Sequence, residues 1–85
     1  MSPEIFKQAR EICDAIEGRQ ERISQIEHIL ARASKHDGKV SIETEFETIE
    51  FYSSTSPDLF IGALVALIGA LRTEIKGLEQ QFNEL

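Results

Sequence analysis

The sequence predicts an α+β, mostly α fold: a long helix, a β-hairpin and a second long helix, forming an antiparallel helical hairpin that assembles into an oligomeric bundle. Three observations predict it. A heptad seam of apolar residues runs from Ile5 to Ala33. Period-two alternation follows between Val40 and Tyr52. Then comes Leu59–Leu71, LFIGALVALIGAL, without a charge or a hydrogen-bonding side chain, inside a second heptad pattern that continues to Leu85. A helix apolar on every side has to be covered on every side. One chain of 85 residues has little with which to cover it, so copies of the chain are expected to do so.

The first helix is expected over about 2–35. Ser2 is a natural N-cap, Pro3 fits the first helical position and Glu4 suits the helix dipole. Ile5, Ala9, Ile12, Ile16, Arg19, Ile23, Ile26, Leu30 and Ala33 alternate spacings of four and three, the pattern of a heptad seam. Arg19 is its one foreign member. Gly18 beside it marks the weakest point of the helix. Cys13 adjoins the seam and reads as a small buried apolar residue. Asp37-Gly38 ends the segment, with Gly38 as a helix-terminating or turn residue.

The hairpin is expected over about 39–53. Val40, Ile42, Thr44 and Phe46 alternate with Ser41, Glu43, Glu45 and Glu47; Ile49 and Phe51 then alternate with Thr48, Glu50 and Tyr52. Such β-branched and aromatic alternation describes half-buried strands. The turn near Glu45–Thr48 contains neither Gly nor Asn, so no standard turn type is implied. An isolated two-stranded hairpin is marginal in water and must pack on something.

The second helix is expected over about 56–84. Ser56 as N-cap, Pro57 as first residue and Asp58 in the first turn form a start signal. Ile61, Leu64, Ile68, Leu71, Ile75, Leu78, Phe82 and Leu85 make an unbroken seam, widened by Phe60 and Leu67. Gly62, Ala66 and Gly69 form a small-residue stripe on another face. The expected oligomer interface is Phe60, Ile61, Leu64, Leu67, Ile68 and Leu71.

Composition bounds the function. Residues 1–85 make a single domain, small enough to need help beyond its own core. A lone cysteine excludes an intrachain disulfide, and two histidines without CxxC or HxxxH spacing argue against zinc. A net charge of −6 disfavours direct nucleic-acid binding. The apolar run is shorter than the roughly 18–20 residues that cross a bilayer. It also lacks the basic flank of an interfacial segment, so no membrane partner is expected. MSPEIFKQAR has no apolar core of signal length, and a cytoplasmic location is expected.

Three sets of residues carry the candidate chemistry. Arg19, Arg22 and Tyr52 are a candidate anion site, because a seam arginine needs a counter-charge. The plainer reading of Arg19 is a packed stem whose head reaches solvent or a glutamate. Glu43, Glu45, Glu47 and Glu50 make the hairpin acidic, either a solvated face that discourages edge pairing or a docking surface for a basic protein partner. The hydroxyl run Tyr52–Ser56 enters a helix N-terminus and reads first as a strand end and N-cap; the alternative is an anion cradle, without the glycines or lysine of a P-loop. His28, Arg32 and Lys35 share one helix face and read as solvated surface. No nucleophile with a base, no paired acids, no metal cluster and no cofactor motif is present, so no enzyme, metal or cofactor is expected.

The expected function is therefore a non-enzymatic homo-oligomeric interaction protein, such as an inhibitor that binds a host protein through its acidic hairpin or helix flanks. One alternative is sequestration of a small anionic ligand, such as a nucleotide signal, between subunits. Another is a purely structural coiled-coil assembly unit. The helix–hairpin–helix order, the acidic balance and the second helix containing ALVALIGALRTEIKGLEQQF resemble small accessory proteins of phages and mobile elements. Some of these inhibit host defence, by blocking a protein or by binding up a nucleotide signal. The resemblance implies an anti-defence inhibitor and assigns no residue.

Overall fold

The computed structural model describes residues 2–33 and 35–85. The elements run α1 (Pro3–Arg32), β1 (Lys39–Glu43), β2 (Thr48–Tyr52) and α2 (Pro57–Asn83), the expected order. The Ser2 hydroxyl caps α1 by accepting a hydrogen bond from the Ile5 N–H at 3.2 Å. The helix ends at Arg32, with Ala33 as an ordinary right-handed C-cap. The expected end at 34–35 thus lies past the observed one and touches Ser34, outside the described residues. Gly38 does not terminate the helix in a left-handed conformation, since no glycine has a positive φ. Its role is spatial: a Cβ there would lie 2.6 Å from Cζ of Phe60.

The helices pair along their seams. Ile23, Ile68 and Ile75 form the buried centre, with Ile16, Ile26, Leu30 and Leu71 packed around it. Toward the hairpin, α2 buries Phe60 and Leu64. Phe60 is only 1% exposed whereas Ile61 remains 44% exposed, so the seam enters α2 through Phe60 rather than Ile61. The bare backbone of Gly38 makes the room that the ring occupies. At the opposite end Phe82 and Leu85 stay largely exposed although the heptad pattern includes them. Cys13, expected to be buried, is exposed. It stands one residue past Ile12, about 100° around the helix and off the seam.

The hairpin is antiparallel, with Val40 opposite Phe51 and Ile42 opposite Ile49. Thr44 and Phe46, expected in the strand alternation, lie in the connecting turn. Thr44 builds that turn without glycine or asparagine. Its hydroxyl donates to the Glu47 carbonyl and accepts from the Phe46 and Glu47 N–H groups. A hydroxyl serving local backbone groups in this way substitutes for a special backbone conformation. Among the described residues, no helix is long and apolar enough to cross a membrane.

Candidate functional site

The candidate site is the hairpin end of the molecule. Its foundation is a clasp that joins the loop after α1 to the loop before α2. The Asp37 carboxylate accepts hydrogen bonds from the Ser53 hydroxyl at 3.0 Å, the Ser54 N–H at 3.1 Å and the Ser54 hydroxyl at 3.0 Å. Gly38 N–H donates to the Ser53 hydroxyl at 2.8 Å, and its carbonyl accepts from Ser53 N–H at 2.9 Å. Donors aimed at a carboxylate favour its ionised form. They hold Asp37 below the usual carboxylate range, the Ser53 hydroxyl having the largest effect. The hydroxyl run read as an anion cradle therefore has an anion already: the chain's own Asp37. Ser56 holds the N-cap position, but its side chain makes no capping bond.

From this base the hairpin presents two unlike faces. Lys39, Ser41, Glu43, Thr48, Glu50 and Tyr52 share the polar face by register. Glu50 is engaged there, accepting from the Tyr52 hydroxyl at 2.7 Å and pairing with Lys39 at 3.5 Å. The Tyr52 hydroxyl first, and then the Lys39 charge, lower the Glu50 pKa. The same bond raises that of Tyr52. Glu45 and Glu47 stand in the turn instead, so the four glutamates do not form one strand row. The other face carries Val40 and Phe51, half-buried near the base, then Ile42 and Ile49, which are exposed. Phe46 at the tip is 90% exposed.

The expected oligomer interface divides. Phe60, Leu64 and Ile68 are buried inside the chain's own core, and Leu71 packs against it. Ile61 and Leu67 remain exposed, together with Leu59 and Val65, which the seam reading passed over. At 100° per residue, Leu59, Gly62, Val65, Ala66 and Gly69 point away from α1. A Cβ added at Gly62 or Gly69 would meet nothing within 4 Å. From Arg72 onward the same outward face turns polar. On the face of α2 that points away from α1, the uncovered apolar surface is thus confined to the half beside the hairpin, while Phe82 is exposed at the other end of the seam.

The candidate anion site is not assembled. Arg19 and Arg22 line one cleft of about 450 Å³, but Asp14 and Glu74 line it too. The Arg19 Nε donates to Glu74 Oε2 at 3.1 Å and Nη1 to the Ala15 carbonyl at 3.1 Å. Tyr52 is absent from that cleft and bonds Glu50 at the hairpin base. Arg19 is thus a seam residue with a packed stem and a head that meets a glutamate. Among the described residues, no group of three His, Cys, Asp or Glu side chains is placed to hold a metal ion.

A second cleft, of about 330 Å³, lies at the hairpin base. Ile29, Ala33 and Gly38 provide its apolar lining, and His28, Arg32, His36 and Lys39 surround them, with Asp37 tied back into the clasp. Helical spacing alone puts His28 and Arg32, with Lys35, on a solvated face. The cleft leaves no periodic signal, because His36 and Lys39 join His28 and Arg32 only through the turn that follows α1.

No protein-family model, curated protein or solved structure matches the chain.

Proposed function

We propose that the protein is a cytoplasmic, non-enzymatic, homo-oligomeric interaction protein that associates through the uncovered apolar surface at its hairpin end. One observation carries this reading: a single copy leaves too much surface exposed. The chain exposes 6715 Å², against about 5,100 Å² for a compact monomer of its mass. The excess, about 1,600 Å², is larger than the roughly 800 Å² each partner contributes to a standard interface. Much of it is apolar: Leu59, Ile61, Val65 and Leu67 on α2, Ile42, Phe46 and Ile49 on the hairpin and Ile29 on α1. Exposed apolar surface in this amount marks interaction sites. On the resemblance to phage accessory proteins, the assembly would serve to inhibit a host factor.

Sedimentation equilibrium tests the reading. The wild-type chain is expected to associate at micromolar concentration. Val65→Lys places a charge on the outward face and should shift the population toward monomer while the far-UV circular dichroism stays helical. A wild-type chain that remains monomeric at millimolar concentration would refute self-association.

A further inference from the structure

We infer that the hairpin tip is an anchor for the basic cleft at the hairpin base of a second copy. This rests on the self-association proposed above and names the contact that organises it. The tip carries an almost fully exposed phenylalanine, Phe46, between Glu45 and Glu47, with Glu43 one turn residue away. Its turn is ordered by the Thr44 hydroxyl, so the ring is presented from a defined backbone rather than a loose loop. A preorganised aromatic group surrounded by carboxylates fits an apolar depression rimmed by cations. The chain holds such a depression in the Ile29 cleft, where Arg32 and Lys39 are the cations, Lys39 shared with Glu50 at 3.5 Å, with His28 and His36 beside them and Asp37 held in the clasp.

The tip cannot reach its own cleft. Lys39 is both the first residue of β1 and part of the cleft lining, so tip and cleft lie at opposite ends of one hairpin. Five strand residues at about 3.4 Å each separate them by about 17 Å. A second copy removes this obstacle. Two hairpins running past each other in opposite directions about a two-fold axis bring each tip to the other's base. Such an arrangement is isologous and closes as a dimer with both contacts made. It also brings together the distal apolar pairs, Ile42 with Ile49, which nothing covers in one chain. The basic partner that the acidic hairpin calls for is then the chain itself.

Charge exchange tests this contact by sedimentation equilibrium at low and moderate salt, with circular dichroism to confirm the fold. All the substituted positions are exposed, so the fold should survive. Phe46→Ala should weaken association by about thirtyfold, as loss of a central aromatic anchor does. Glu45→Lys with Glu47→Lys, and separately Arg32→Glu with His36→Glu, should each weaken it by at least about tenfold. Combining the two pairs should restore much of the affinity, because the charges again oppose. Added salt should weaken the wild-type contact. If the wild type associates and all variants associate equally well, the tip contact is overturned while self-association stands. A combined variant as weak as its parents overturns the pairing of tip with cleft. A wild-type monomer overturns both this contact and the assembly.

Discussion

Gly38 lies where the chain enters β1, with the Phe60 ring against it. A methyl group there would fall 2.6 Å from the ring, and Phe60 is too enclosed to step aside. Gly38→Ala should therefore destabilise the chain by about 1–3 kcal/mol, the range for overpacking a core, as read by urea unfolding. No loss of stability would mean that the ring has room the structure does not show. Arg19 makes the opposite case. Its bond to Glu74 is partly exposed, with 35% of the arginine side chain accessible. Pairs of that kind contribute about 0–1 kcal/mol. Arg19→Leu adds apolar surface between Ile16 and Ile23 and should leave stability within about 1 kcal/mol of wild type or raise it. A loss well beyond that range in urea unfolding would assign Arg19 more than a tolerated seam position. The sequence made Arg19 conspicuous because it interrupts a regular seam. It could not make Gly38 conspicuous in the same way, since the ring that needs the space is far along the chain.

At the scale of elements, the helices follow from local rules and the hairpin from a distant tie. Each helix has a start signal, an apolar seam and few residues that resist helix formation. The strands have alternation, but their ends are held by Asp37 binding Ser53 and Ser54. This clasp has a pH signature. The Asp37 pKa is depressed below its ordinary 3.8. Between those two values the unfolded chain binds more protons than the folded one, so stability rises with pH there. The contribution is complete above 3.8 and lost as pH falls through the folded value. Asp37→Asn should be less stable than wild type at neutral pH, and the gap should narrow in acid below the ordinary aspartate range. Thermal melts followed across acid pH check this, and a gap that stays constant would remove the charge from the clasp.

At the scale of the whole molecule, the chain is a thin slab. It measures 54 × 32 × 15 Å, with a radius of gyration of 16.9 Å, against about 12 Å for a compact chain of this length. Two helices side by side can bury one seam and nothing more. The apolar half-turns of α2 that face away from α1 have no element left to cover them. Val65 belongs to no intrachain core, so Val65→Lys acts on surface left between copies. It should separate copies without unfolding them, whereas Leu64→Asp, at a side chain only 5% exposed, should unfold the chain itself. The two substitutions lie one residue apart and distinguish surface between copies from core within one.

The order helix, hairpin, helix, the antiparallel pairing of seams and the excess of apolar residues in Leu59–Leu71 are all legible in the residues alone. These follow from periodicity and capping, which act over a few neighbouring residues. Which side of that run the chain covers for itself emerges from packing in three dimensions. Phe60, Leu64 and Ile68 go inward and Leu59, Val65 and Ala66 outward, because the position of α1 and the bare backbone of Gly38 select the buried face. The tertiary structure alone also gave the hydroxyl run its partner, Asp37, and drew His28, Arg32, His36 and Lys39 around Ile29. Both depend on the path of the loop between α1 and β1, where contact is set by three-dimensional proximity and leaves no period in the sequence.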